Sequence, residues 1–338
     1  LLAEKGNGSF SYLLYAHTDT VPVYGNWLEN PFKLRVSADK AIGLGAADMK
    51  GGIAAILKAV ENFNPQNYKL KIGFGVDEEN FSAGAFKITE SNWLKDVKGI
   101  LVPESSLPAY LSEQAGSIIT PGRKGRVVYI IKIFGKSAHG VNPEKGINAI
   151  EEAAKLVIEL RDLEKTSHPK LGKNTYFVRR FEAKTLSLSI PDYAEIELDS
   201  HLVCPETSES LKKKLEAFIN LLLQKGFLRL GEKQFEVIFA DRPTPFLEPF
   251  IFDTSLPFIK TCSQAVEKIY SEFSYNYGQS VADENVFGCT GIPTLTIGPL
   301  ADNHHSAEEW VSISSLNKLS KIYRKIIEDL DKDSLLSE

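Results

Sequence analysis

The chain has 338 residues, 43% of them hydrophobic, and a formal net charge of −5. That length can bury two ordinary cores, and the acidic balance offers no basic surface for nucleic acid. The three cysteines, Cys204, Cys262 and Cys289, are odd in number and widely spaced without a metal-binding pattern, which speaks against a disulfide framework and for a reducing cytoplasm; no run of about eighteen apolar residues exists to span a membrane.

The opening, Leu1-Leu2-Ala3-Glu4 without an initiator Met, is that of a short chain or of one that begins inside its gene product. After a turn at residues 5–9, an apolar strand at 12–15 runs into Ala16-His17-Thr18-Asp19. Side chains at i and i+2 of a strand share a face, so Asp19 can accept the second ring N–H of His17 and fix its tautomer. The turn Gly43-Leu44-Gly45-Ala46-Ala47 delivers Asp48 to a strand-to-helix corner, and Lys50-Gly51-Gly52 lets a helix begin directly afterwards. A strand at 72–76 ends on Asp77-Glu78-Glu79, and one at 100–102 on Pro103-Glu104. These clusters lie at the carboxyl ends of strands, where open α/β sheets carry their sites.

Past Glu104 the pattern changes. A β-rich run at 127–134 leads to Gly135-Lys136-Ser137-Ala138-His139-Gly140, and 148–163 reads as an amphipathic helix, with Ile150, Ala153, Ala154, Leu156, Val157 and Leu160 at helical spacing. Strands at 185–190 and 194–204, a helix at 208–224 and a strand at 235–239 complete a strand-helix-strand-strand-helix-strand unit of the ferredoxin-like α+β type. The expected organisation is a discontinuous catalytic domain, residues 1–119 and 242–338, of α/β class with a mixed sheet flanked by helices, carrying an inserted α+β domain at 120–241. The larger domain resumes with a helix at 256–270, delivers His304-His305 after a strand at 294–297, and closes with a helix at 313–329.

Two histidines and at least four carboxylates at such turns are what a pair of zinc ions needs. Zinc takes imidazole nitrogen and carboxylate oxygen, and a catalytic site keeps a position for water. When two ions lie about 3.5–4 Å apart, one carboxylate bridges them and both acidify the water they share. Asp48, at its corner, is the natural bridge. The neighbours Glu78 and Glu79 must point differently, so one can bind metal while the other takes a proton from the water.

The segments Ala16-His17-Thr18-Asp19-Thr20-Val21-Pro22, Gly45-Ala46-Ala47-Asp48-Met49-Lys50-Gly51-Gly52, Asp77-Glu78-Glu79, Pro103-Glu104 and His305-Ser306-Ala307-Glu308-Glu309 together resemble the dinuclear zinc exopeptidase and deacylase family. It includes acetylornithine deacetylase, succinyl-diaminopimelate desuccinylase, aminoacylase, carboxypeptidase G and related dipeptidases, and the resemblance covers nearly the whole chain. It implies two Zn2+, with Co2+ or Mn2+ able to substitute: one held by His17 and Glu104, the other by Glu79 and His305, with Asp48 between. It assigns Glu78 as general base and Asp19 as the partner of His17, and the spacing to Glu309-Trp310-Val311 selects His305 over His304. The insert resembles the family's dimerisation or lid domain, whose Gly-x-Ser-Ala-His signature gives His139 the role of supporting the oxyanion in the active site of a partner subunit, and so implies a homodimer.

The implied reaction is hydrolysis of an amide of a small peptide, at its C-terminal residue, or of an N-acyl amino acid. Relatives that grip a substrate carboxylate carry Asn-x-x-Pro-Asp and Asp-x-Arg on strands of the insert. This chain has Leu188-Ser189-Ile190-Pro191-Asp192 and Asp199-Ser200-His201, which leaves His201, Arg179 and Arg180 as candidates for that contact. The loop Gly278-Gln279-Ser280-Val281-Ala282-Asp283-Glu284-Asn285 also departs from the Gly-Thr-Ser-Asp-Gly run of a desuccinylase. Acetylornithine deacetylase or succinyl-diaminopimelate desuccinylase is the alternative activity, and a non-catalytic zinc-binding relative a remote one. A phosphoesterase is disfavoured, since neither Gly-rich turn is followed by the Lys-Ser/Thr pair of a phosphate-binding loop.

Overall fold

The structure, a computed structural model, describes residues 1–105, 117–183 and 188–333. The chain forms two compact units, Leu1–Arg123 with Phe250–Glu338, and Lys124–Pro249. The crossings lie beyond residues 119 and 241, where the sequence places them, because Gly122–Arg123 and Phe250–Ile251 pair as a short antiparallel ladder inside the larger unit.

The larger unit is built on a five-stranded sheet in the order Leu2–Gly6, Lys69–Gly75, Ser11–His17, Val97–Val102, Thr294–Thr296. The last four are mutually parallel and Leu2–Gly6 is an antiparallel edge. Parallel strands are covered on both faces and so read as continuous apolar runs; Leu13, Leu14, Tyr15, Ile100, Leu101 and Val102 are all at most 1% exposed. The Ile313–Asp333 helix buries Leu319, Ile322, Tyr323, Ile326, Ile327 and Leu330, a stripe at helical spacing, and packs against the Gly51–Val60 and Pro257–Tyr270 helices. A Cβ at Gly52 would lie 2.7 Å from the Pro103 ring, so glycine is what lets the helix after Asp48 approach the segment leading to Glu104. A second, antiparallel sheet orders Ala301–Asp302, Trp310–Ser312, Lys40–Ile42 and Arg35–Ser37. Among the described residues no helix is long and apolar enough to cross a membrane.

The smaller unit has four antiparallel strands in the order Thr175–Ala183, Tyr193–Leu202, Gly125–Phe134, Phe235–Phe239. Its first strand lies between its third and fourth, as in ferredoxin-like folds. Val127, Tyr129, Ile131 and Ile133 alternate into a core with Ala153 and Leu156 of the Ala149–Glu159 helix and Leu211, Leu215 and Ile219 of the Ser208–Gln224 helix. Of the strand expected at 185–190, residues 185–187 lie outside the described residues and Ser189 makes a single bridge to His139; the second strand of the unit, not expected from the sequence, is Thr175–Ala183. Its signal is disguised because Phe177 and Phe181 lie on its exposed face with Arg179, so apolar and polar residues do not alternate along it.

One buried ion pair of the larger sheet has a measurable consequence. Lys71, 3% exposed, donates to Asp96, which also accepts from Lys69 at 2.9 Å. Burial pushes the Asp96 carboxyl up, but the hydrogen bonds from the two lysines outweigh it and hold it at about 2. A depressed carboxyl stabilises the fold above its unfolded pKa of about 3.9 and loses that contribution as pH falls toward the folded value. Denaturant unfolding should therefore show the stability gap between wild type and Asp96→Asn shrinking from pH 4 to pH 2. A gap that stays constant over that range would show that the pair does not act as described.

Candidate metal centre

The parallel strands end on the same edge of the sheet, and each carries a polar residue there. His17 is the last residue of its strand, Glu78 and Glu79 follow Lys69–Gly75, Glu104 follows Val97–Val102, and His305 follows Thr294–Thr296. Asp48 lies in a turn before the Gly51–Val60 helix, with φ −126° and ψ 92°.

These residues converge in two groups. His17, Asp48 and Glu104 form one, and Asp48, Glu79 and His305 the other, with the candidate ligand atoms of each within 4.8 Å of one another. Asp48 belongs to both and divides its oxygens between them. Its Oδ1 is 3.0 Å from His17 Nε2, which is also 3.1 Å from Glu104 Oε1. Its Oδ2 is 3.2 Å from His305 Nε2, which is also 3.1 Å from Glu79 Oε2. Among the described residues His304 belongs to neither group; its Nε2 is buried without a hydrogen-bond partner.

The residues fit divalent cations. Glu79 Oε1 is buried without a hydrogen-bond partner, an unusual state for a carboxylate oxygen in a polar cluster. The donors are imidazole nitrogens and carboxylate oxygens, the set that zinc, cobalt and manganese accept. Burial opposes a charged His17, but Asp19, Asp48 and Glu104 outweigh it and raise its pKa; hydrogen bonds that His305 donates to Asp48 and Glu79 lift it to about 10. Burial and then Asp48 push Glu104 up to about 7.

Glu78 stands apart from both groups. Burial, then the charges of Glu104 and Asp283, raise its pKa well above the carboxylate range. The side chain of Asp19 does not share the His17 strand, which stops at His17; instead the Asp19 backbone carbonyl is 3.2 Å and its carboxylate 3.5 Å from His17 Nδ1, while Oδ2 accepts the Glu79 N–H at 3.2 Å. Asp19 thus touches a residue of each group.

Several partners of the site were not legible as such. Glu309 accepts from the backbone N–H groups of Gly45, Ala47 and Asp48. Tyr15 donates to Asp283, and Arg123 donates to Glu284 at 2.8 Å from Nη2, all four side chains being buried. A Cβ at Gly75 would lie 1.9 Å from the Tyr15 hydroxyl, so the residue leading into Asp77-Glu78-Glu79 has to be glycine for that tyrosine to reach Asp283. No local pattern announces contacts between residues so far apart in sequence.

The remaining candidates lie in the smaller unit. His139 is exposed, and its Nδ1 accepts the Val141 N–H at 3.1 Å, which leaves the proton of a neutral ring on Nε2. Arg179 and Arg180 are engaged: each donates from Nε to Glu197, at 2.6 and 2.8 Å, and Arg180 also donates to Glu195 at 2.8 Å. Burial lowers the pKa of His201 more than Asp199 raises it, with Arg126 and Lys124 adding to the fall. Leu188 is 87% exposed.

A profile of the peptidase family M20/M25/M40 matches residues 13–329. In sequence the chain is similar to succinyl-diaminopimelate desuccinylase of Acinetobacter baumannii, 28% identical over 341 residues that cover 98% of this chain and 86% of that one. In fold it is similar to an aminopeptidase from Bacillus cereus, with a TM-score of 0.74 at 21% identity over 97% of this chain and 84% of that one. A dinuclear metal-binding peptidase of the M20 family from Bacillus subtilis superposes with a TM-score of 0.72 at 18% identity, covering 98% of this chain and 85% of that one.

Proposed function

The chain belongs to the peptidase family M20/M25/M40, and on that premise we propose that it is a di-zinc hydrolase of an amide bond in a small substrate, an N-acyl amino acid or the C-terminal residue of a short peptide. The observation that supports this most is the division of the Asp48 carboxylate, one oxygen toward each histidine-carboxylate pair. We assign one ion to His17 and Glu104 and the other to Glu79 and His305, with Asp48 shared. Cobalt or manganese would satisfy the same donors.

Two dications held there would polarise the amide carbonyl, acidify water and draw the Glu78 pKa back down. Glu78, held out of both ligand groups, takes a proton from the attacking water as the C–O bond forms and passes it to the nitrogen as the C–N bond breaks. Products are a carboxylic acid and an amine. Asp19 keeps His17 in the tautomer with Nε2 toward the carboxylates. The oxyanion needs a donor, and a His139 whose Nδ1 is occupied by the Val141 N–H has Nε2–H to offer. We place that histidine across a homodimer, each chain serving the other's metal centre, in the cytoplasm. Three widely spaced cysteines, odd in number, are in keeping with that compartment.

A substrate carboxylate has no ready anchor in Arg179 or Arg180 unless it displaces Glu197, and His201 is mostly neutral near pH 7 given its lowered pKa. The loop at residues 278–285, which departs from the Gly-Thr-Ser-Asp-Gly run of a desuccinylase, favours a carboxypeptidase or general acylamino-acid hydrolase. The second reading is a deacylase of amino-acid biosynthesis, favoured by the similarity to a desuccinylase along 98% of this chain. Turnover over acetyl and succinyl amino acids and dipeptides, with zinc, cobalt and manganese in turn, separates the two. Release of amine from none of them would rule out both.

The dimer assignment gives its own prediction. Glu78→Gln and His139→Ala subunits, each inactive alone, should regain activity on mixing, because a mixed dimer assembles one site with both groups intact. Verified subunit exchange without recovery would mean that His139 does not act across subunits.

A further inference from the structure

One carboxylate ties together two segments that are far apart in the chain. Glu309, 2% exposed, accepts from Gly45 N–H at 2.8 Å through Oε2, and from Ala47 N–H at 2.8 Å and Asp48 N–H at 3.0 Å through Oε1. Its own carbonyl accepts from Gly43 N–H at 3.0 Å, and the next residues, Trp310–Ser312, pair with Lys40–Ile42. A buried carboxylate is costly unless it is hydrogen-bonded, and these amides supply the bonds. In return, the turn that presents Asp48 gains an acceptor for N–H groups that no strand partner takes up.

The other end of the clamp is a strained loop. Asn303, His305 and Glu308 all have left-handed backbones, with φ of 59°, 57° and 60°. Residues other than glycine hold such conformations where surrounding contacts over-determine them. Here the contacts are Glu308, which takes the Leu28 N–H at 3.0 Å and pairs with Arg35, the Asn303 side chain, which donates to the Glu308 carbonyl at 3.1 Å, and Glu309 itself. His305 lies in the middle of this loop.

We propose that Glu309 is a positioning residue that locks the Asp48 turn to the His305 loop, so that the shared carboxylate and the second histidine are in register before a metal enters. The proposal rests on the metal reading above. Replacing Glu309 removes no donor and leaves His17, Glu104 and Glu79 in place. What it frees is the distance between Asp48 and His305, so the ion that depends on His305 is the one that weakens.

The test is titration of metal-free enzyme with cobalt, followed by visible absorption, alongside thermal melting of the metal-free protein. In Glu309→Gln, one of two cobalt ions should bind ~10–100-fold more weakly while the other stays within about threefold of wild type. Excess cobalt should restore kcat, with KM unchanged throughout. Glu309→Asp keeps the charge but is one methylene short of reaching all three amides, and should fall the same way; it serves if the glutamine variant does not fold. Wild-type affinity for both ions in a folded variant overturns the clamp alone. Equal weakening of both ions overturns it too, since that is general loosening. Wild-type protein that takes up no cobalt overturns the metal reading and the clamp with it.

Discussion

Glu78→Gln is expected to keep both metal ions and to lose a factor of ~10²–10⁴ in kcat, the range that general-base removal typically costs. The substitution preserves volume and hydrogen-bonding shape while removing a carboxylate that, among the described residues, belongs to neither ligand group. Glu79 beside it cannot take over. Its Oε2 is 3.1 Å from His305 Nε2 and its backbone N–H is held by Asp19, so its carboxylate is committed to the second group. The burial and the flanking charges of Glu104 and Asp283 that raise the Glu78 pKa are also what a base needs if two dications are to bring it into the working range. Metal content by elemental analysis and kcat on an N-acyl amino acid check both halves. A variant with two metals and more than about a tenth of wild-type turnover would show that the base lies elsewhere.

The sequence made the strand ends readable and the clamps unreadable, for one physical reason. Buried parallel strands such as Ser11–His17 and Val97–Val102 carry apolar runs at residues 12–16 and 100–102, so the histidine or acid that ends each run stands out. The alternation of Gly125–Phe134 and the spacing of Leu211, Leu215 and Ile219 in the Ser208–Gln224 helix are equally local signals, and both elements fall where the sequence places them. Thr175–Ala183 carries no such signal, because Phe177 and Phe181 lie on its exposed face and its apolar and polar residues do not alternate. Asp19 shows the same limit on a smaller scale: the face-sharing argument assumes a strand that continues, and the strand ends at His17. Glu309 with the Asp48 turn, Tyr15 with Asp283 and Arg123 with Glu284 are separated by more than a hundred residues each. Such pairs exist only once the sheet order has brought their segments together, so no window of sequence contains them.

Asp48→Ala should abolish binding of both ions together, whereas His17→Ala and His305→Ala should each weaken one. The geometry makes the asymmetry sharp. Without Asp48 the first group is reduced to His17 and Glu104, 3.1 Å apart, and the second to His305 and Glu79, also 3.1 Å apart, and two protein donors fall short of the three that catalytic zinc sites ordinarily present. Without His17, by contrast, Asp48, Glu79 and His305 survive as a complete second group. Loss of groups that merely orient ligands already costs ~10–100-fold in affinity, so removal of a ligand common to two ions should exceed that at each. Asp48→Asn refines the test, since it keeps the fold of the turn and the backbone N–H that Glu309 accepts while halving the oxygens available. It should retain one ion better than the alanine variant but not two. Elemental analysis after dialysis reads the stoichiometry directly, and two tightly held equivalents in Asp48→Ala would mean that the carboxylate shared in space is not shared in binding.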